Sequence, residues 1–174
     1  MTKPLPKYPR ILGIAPSTRG FGFALIEGLN TLADWGVKSI KGDKNAGTVA
    51  KVDGLIAHYE PSVVVLENTS AKSVRRSARI RALTKCIAFS ARNRNVMVIL
   101  LTREHVRRTF FADGDGTKHA LAEIIAKQFP DELGFRLPPK RRPWMSEDSR
   151  MDIFDAVALA LSVHRTKGLK GRRR

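Results

Sequence analysis

RILGIAPSTRGFGFALIE, residues 10–27, is the stretch on which the fold reading turns. The apolar run from Arg10 to Ile14 is broken at Pro16, a second run spans Gly22 to Ile26, and Ser17 to Gly20 lies between them. That pattern is two strands joined by a tight turn. After a turn at Gly28 to Asn30, a third strand fits Leu32 to Ser39, with Trp35 and Val37 on one face and Gly36 and Lys38 on the other. The chain therefore opens as a three-stranded meander.

Downstream the period changes. Val49, Val52, Leu55, Ile56 and Tyr59 fall at helical spacing over 46–59, and Pro61 stops that helix. Ser62 to Leu66 is continuously apolar and β-branched, a strand covered on both faces that delivers Glu67 at its C-terminal end. A helix over about Ser73 to Arg92, a second buried strand from Val96 to Leu101, and a short helix capped by Thr102 follow. The loop Ala112 to Gly116 precedes a helix over Thr117 to Phe129, ended by Pro130. Residues 134–150, with Pro138, Pro139, Pro143 and the run Lys140 to Arg142, read as a surface loop before a last helix from Ser149 to Lys167. This order predicts an α/β domain over 10–167, a mixed five-stranded sheet with helices on both faces, preceded by an extended arm (1–9) and followed by a basic tail (168–174).

Composition narrows the partner. Thirty-two Lys and Arg against sixteen Asp and Glu leave a net charge of +16, and 43% hydrophobic content over 174 residues suffices for one core. Nucleic acid is the favoured polyanion, because neutralising phosphates releases condensed counterions whatever the base sequence. No run of about 20 apolar residues and no signal-peptide apolar region occurs, so a soluble, cytoplasmic protein without a membrane partner is expected. Cys86 is the sole cysteine, which excludes an intramolecular disulfide and a Cys-based zinc site, and it reads as a small core residue on a helix. The four histidines lack zinc-ligand spacing, and the Asp113 to Gly116 loop lacks the Glu of a calcium-binding hand twelve residues on.

Three acids are attached to apolar frameworks, where a charge is costly unless balanced: Glu67, Asp152 and Asp155. Asp152 and Asp155 share one face of the last helix, opposite Ile153, Phe154, Val157 and Leu161. If that helix lies across the ends of the first and fourth strands, Glu67 joins them. Such hard oxygen donors suit Mg²⁺ or Mn²⁺, and two ions about 4 Å apart can activate water and stabilise the leaving oxygen in phosphodiester hydrolysis.

Taken together, these segments resemble the RuvC family of Holliday-junction resolvases, in order from about residue 10 to residue 165. Residues 11–24 are similar to that family's first hairpin, the strand from Val63 to Glu67 with Ala71 and Lys72 to its catalytic-Glu segment, and MDIFDAVALA (151–160) to its final helix. The resemblance implies an RNase H-like fold, a homodimer, four-way junction DNA as partner, two Mg²⁺ (or Mn²⁺) ions per site, and a role in DNA recombination and repair. It maps the four acids onto position 15, Glu67, Asp152 and Asp155. Position 15 departs from the pattern: Ala15 stands where Asp is expected, and Ser17 replaces the usual Gly. Because an alanine cannot ligate metal, little or no cleavage is expected.

Two explanations for Ala15 stand: an Asp-to-Ala substitution made to trap a substrate complex, or a noncatalytic branched-DNA binder. The first is favoured because acids kept without metal would repel one another with no counter-charge. An RNase H-like nuclease with an RNA-containing or transposon substrate is a further reading. DNA contacts are expected from Lys72, Arg75, Arg76 and Arg79, read as one face of the helix after Glu67, and from Lys118, which resembles a functional lysine of the family. Arg103, Arg107 and Arg108 form a second set, and Phe21, Phe23, Phe110 and Phe111 are candidates for base stacking, with core packing the better use for most.

Overall fold

The computed structural model describes residues 9–28, 30–70 and 75–171, with side chains in the last helix described as far as residue 165. The meander is present: β1 (Arg10–Pro16) pairs antiparallel with β2 (Gly20–Glu27), and β2 with β3 (Thr31–Ser39). The turn between β1 and β2 is closed by the Ser17 amide donating to the Gly20 carbonyl at 2.9 Å. After α1 (Lys44–Tyr59), capped by the Asp43 carboxylate, β4 (Val63–Glu67) enters parallel to β1. α2 (Ala78–Asn93) then leads to β5 (Met97–Leu101), parallel to β4. The sheet order is β3-β2-β1-β4-β5. α3 (Arg103–Phe110), α4 (Lys118–Gln128), the short α5 (Pro130–Leu133) and α6 (Met151–Gly171) complete the chain.

Strand alternation divides the core in two. Leu12, Ile14, Val64 and Leu66 face α1 and α2, packed with Val52, Ile56, Ile80, Leu83 and Ile87. Ile11, Ala15, Val63 and Val65 face α6 and α4, packed with Ile153, Val157, Leu161, Leu121 and Ile125. The mixed five-stranded sheet with helices on both faces is therefore as expected.

Two glycines set how close α6 lies to the sheet. A Cβ on Gly13 would stand 2.1 Å from the Ala156 carbonyl oxygen, and one on Gly22 would stand 2.2 Å from the Asp152 carbonyl oxygen. With bare backbone at both positions, α6 rests on β1 and β2 and its first turn hangs over the end of β1. The helix is buried nearly all round from Met151 to Val163, with Asp152 and Asp155 the partly open positions, rather than carrying one apolar stripe as its spacing suggested.

Several expectations are corrected. α2 begins at Ala78, not near Ser73: Ser77 is extended and its hydroxyl caps the Ile80 amide, so Arg75 and Arg76 precede the helix and share no helical face with Arg79. Lys72 lies outside the described residues. Cys86 is exposed, because Ile80, Leu83 and Ile87 take the buried stripe and leave residue 86 on the outer side. β5 is an edge strand, with Met97 and Leu100 open to solvent, where a strand buried on both faces was expected. Pro130 ends α4 but also starts α5, as proline can at a first helical position. The α6 backbone continues to Gly171, past Lys167; residues 1–8 of the arm and 172–174 of the tail lie outside the described residues. Among the described residues no helix is long and apolar enough to cross a membrane.

Candidate metal and nucleic-acid site

β1 and β4 run parallel with Gly13 beside Val65, and two residues further along each strand come Ala15 and Glu67. By alternation both face α6, at the C-terminal edge of the sheet, where open α/β sheets hold their ligands. Ala15, Glu67, Arg76, Arg103, Lys118 and Asp155 line one cavity of about 100 Å³. Ala15 is buried and is one of the residues that line this cavity.

Glu67 and Asp155 line the same cavity but have different surroundings. Glu67, with a side chain 12% exposed, is held between two guanidinium groups. Arg76 donates to Oε2 from Nη2 at 2.6 Å and from Nε at 3.1 Å. Arg103 Nε stands 2.7 Å from Oε1, a charge contact without hydrogen-bond alignment. Asp155 meets Lys118, whose Nζ is 2.8 Å from Oδ2 and also pairs with Glu147.

Glu147, Asp152 and Asp155 each present a carboxylate oxygen within 4.8 Å of the others. Glu67 is not part of that group. Of the expected trio, Asp152 and Asp155 stand together with Glu147, while Glu67 shares the first cavity with Asp155. Glu147 was missed because it lies five residues ahead of Asp152 in a segment read as a solvated loop. The only signal was its place among the acids of SED, 146–148, close before the helix.

The electrostatics follow from crowding. Burial, with help from Asp155 and Glu147, pushes the Asp152 carboxyl up to about 6, against the opposing effect of a hydrogen bond from Ser17. Burial also raises Asp155 from its ordinary value, Lys118 opposing it. For Lys118, burial works downward, but Asp155 and Glu147 outweigh it and hold the ammonium above its ordinary value. The idea that retained acids would face one another with no counter-charge does not hold here: Arg76, Arg103 and Lys118 supply it.

The expected DNA contacts are likewise partly committed within the chain. Arg76 serves Glu67 and Lys118 serves the acid group, while Arg79 ties the first hairpin to α1 through the Ser17 carbonyl and the Asn45 side chain. Arg75 is exposed. In the second set Arg108 pairs with Glu104, and Arg107 lines the cavity. Phe21 and Phe23 are buried, and Phe110 and Phe111 pack against the α6-side core, so none of the four is a platform for a base.

No protein-family model matches the sequence, and no curated protein matches it. Solved structures do. Thermus thermophilus RuvC in complex with Holliday junction substrate is 16% identical, over 93% of this chain and 96% of that one, with a TM-score of 0.67. The yeast mitochondrial Holliday junction resolvase is 16% identical over 97% and 84%, at 0.62. The fowlpox virus Holliday junction resolvase is 16% identical over 91% and 99%, at 0.57. With likeness of architecture over almost the whole length and little identity, the chain has the RNase H-like fold of the RuvC-type Holliday-junction resolvases.

Proposed function

We propose that this protein binds four-way or otherwise branched DNA across the cleft at the ends of β1 and β4, as a homodimer, and that Ala15 keeps it from cutting. The observation that carries this reading is that Ala15, Glu67 and Asp155 line one cavity, so that position 15 is the gap in a resolvase-like acid set. The net charge of +16 supports a polyanionic partner. The likeness to resolvases solved with and without junction DNA favours branched over linear substrate.

The donors present fit a hard divalent cation such as Mg²⁺ or Mn²⁺: Glu147, Asp152 and Asp155 would hold one, with Lys118 as the competing charge. When bound, such an ion would supply an activated water and a charge to stabilise the leaving oxygen. A second ion needs a carboxylate shared between the two positions. Glu67, bracketed by Arg76 and Arg103, and Ala15, with no donor, do not provide one. The protein's own residues then act as a binding surface: Arg75, Arg103 and Arg107 hold phosphates near the cleft, and Glu67 keeps Arg76 and Arg103 oriented.

The test is a gel-shift comparison of four-way junction, linear duplex and RNA–DNA hybrid at several salt concentrations, paired with a Mg²⁺ and Mn²⁺ cleavage assay. Preference for the junction without product is expected. Equal affinity for linear duplex would overturn junction selectivity, and preferential cutting of the hybrid would establish an RNA-directed nuclease instead. The acid group carries a second reading, a single-ion nuclease in which Glu147 replaces the missing first acid. Junction cleavage by the unaltered chain, abolished in Glu147→Gln, would establish it.

A further inference from the structure

The strongest feature that the cleft does not absorb lies on the other side of Lys118. A second cavity, about 300 Å³, opens between the start of α4 and the loop that leads to α6, with Thr117, His119, Pro138, Arg141, Met145 and Ser146 in its walls. It shares Lys118 and Glu147 with the acid site, so its occupant would lie next to that site. Next in the chain to the wall residue Met145 is Trp144, 76% exposed, with Arg142 over its ring at 5.5 Å. Resting on the branched-DNA reading above, we propose that this pocket takes one unpaired nucleotide of the bound DNA, with Trp144 as the stacking platform beside it.

The chemistry of the walls selects a nucleotide. Pro138, Met145 and Met151 offer apolar surface to the flat face of a base, and Thr117 and Ser146 offer hydroxyl groups to its edge. Extruded bases are held by that combination, apolar contact on the faces and hydrogen bonds at the edge. Of the two acids in the walls, Asp148 pairs with Arg150, and Glu147 shares Lys118 with Asp155 on the side of the acid site. Among the described residues no carboxylate pairs with Arg141 in the wall, or with Lys140 and Arg142 on either side of it in the chain, which leaves positive charge for the attached phosphates. The loop is anchored as well: His119 hydrogen-bonds the Pro138 carbonyl at 3.1 Å, fixing one wall to α4. The volume is at the lower end of small-ligand sites, a size for one nucleotide and not a duplex. Phe21 and Phe23 are buried and Phe110 and Phe111 are partly buried against the core, whereas Trp144 is open with the Arg142 guanidinium over its ring, a pairing that suits stacking of single-stranded nucleic acid.

Trp35→Phe leaves Trp144 as the only tryptophan, so its fluorescence can report on stacking. In that background we expect quenching by a four-way junction and by a single-stranded oligonucleotide, and little change with a continuous duplex. Trp144→Ala and Arg141→Ala should each weaken binding of DNA with unpaired nucleotides by about tenfold, the scale of one lost base–aromatic stack. Affinity for continuous duplex should stay within about twofold of the parent, and Trp144→Phe should retain most of the junction binding. Unchanged Trp144 fluorescence while the junction binds normally would overturn the pocket and leave the DNA reading intact. So would equal losses on duplex and junction, which indicate a phosphate contact only. If neither junction nor single strand binds, the DNA reading itself fails and the pocket proposal falls with it. Quenching by an acidic peptide at the same concentration as the oligonucleotide would overturn the nucleotide assignment.

Discussion

The two sides of the cleft solve the same electrostatic problem differently. On the sheet side one carboxylate, Glu67, is held by two arginines. On the helix side three carboxylates, Glu147, Asp152 and Asp155, share one lysine. The sheet side is saturated with positive charge that never titrates, since guanidinium groups stay protonated at any accessible pH. The helix side has less positive charge, and burial, with the neighbouring carboxylates adding to it, raises Asp152 and Asp155 from their ordinary values. The lesson is that acids lining one cleft can have unlike surroundings: two arginines engage Glu67, while the α6-side acids share a single lysine, so under the proposed function the second group would be the more open to a cation.

The largest way to break this asymmetry is Ala15→Asp, which places a carboxylate between the two sides, in the cavity that both line. Mg²⁺-dependent cleavage of a four-way junction is expected to rise by at least about 100-fold, more than the usual effect of losing an outer-shell partner of a metal site. If the variant binds junction as before and still does not cut over a range of metals and sequences, the chain is a binder whose site was not a single residue from activity.

Next in size is Gly22→Ala. The added Cβ meets Asp152 O at 2.2 Å and Asp152 Cβ at 2.7 Å, so the first turn of α6 must move or the hairpin must. Overpacking of this kind costs about 2–3 kcal/mol, and it should weaken Mn²⁺ binding while leaving the Glu67 pairs in place. Chemical denaturation and metal titration of one preparation check both, and a stable variant with unaltered metal binding would show that α6 is not held at its present height by Gly22.

Much of this was legible in the sequence, for identifiable reasons. Val63, Val64 and Val65 announce a strand buried on both faces, and the period of α6 places Ile153, Phe154 and Val157 in the core, so Glu67, Asp152 and Asp155 were found as the acids attached to those elements. The fold order followed from the meander and the alternation behind it. What the sequence hid was contact made by irregular backbone. Arg76 appears on a helix because the basic run continues smoothly into α2, and only the Ser77 cap, read as a stop, would have placed it in the preceding loop. Glu147 has no period at all, since a loop can return a side chain to a site from any spacing. The edge position of β5 is a matter of strand order, and an apolar run such as Met97 to Leu101 reads the same at the edge as at the centre.

A third effect separates the two sides by pH. Asp152 has a folded-state pKa of about 6 against an ordinary 3.8, so between those values the folded protein holds a proton that the unfolded chain has lost. Its contribution is therefore neutral below pH 3.8, becomes a penalty as pH rises through the window, and is fully unfavourable above pH 6. Two pH units at ~1.4 kcal/mol each bound the penalty near 3 kcal/mol, which partial solvent access reduces to about 1–2 kcal/mol. Asp152→Asn, whose side-chain carbonyl can still accept from Ser17, should thus be more stable than the parent by about that amount at pH 8 in EDTA, and equal to it near pH 3.5. Equal stability at both pH values would mean that Asp152 is not desolvated.

The smallest predicted effect tests the sheet side. Arg76 is mostly buried against Glu67, its side chain 27% exposed, while Arg103 is 57% exposed. Solvent screening weakens exposed pairs, so Arg76→Ala should cost about 1 kcal/mol and Arg103→Ala no more than about 0.5 kcal/mol. The double variant should cost more than the two together, because either arginine alone still balances a carboxylate that is only 12% exposed, and removing both leaves it buried and unpaired. Thermal denaturation of the four proteins closes that cycle. An additive result would mean that Glu67 finds compensation from Lys118 or solvent, and the contrast between a saturated sheet side and a charge-starved helix side would then be one of degree. A coupled result would establish that the two arginines act together on Glu67, each covering for the other when one is lost.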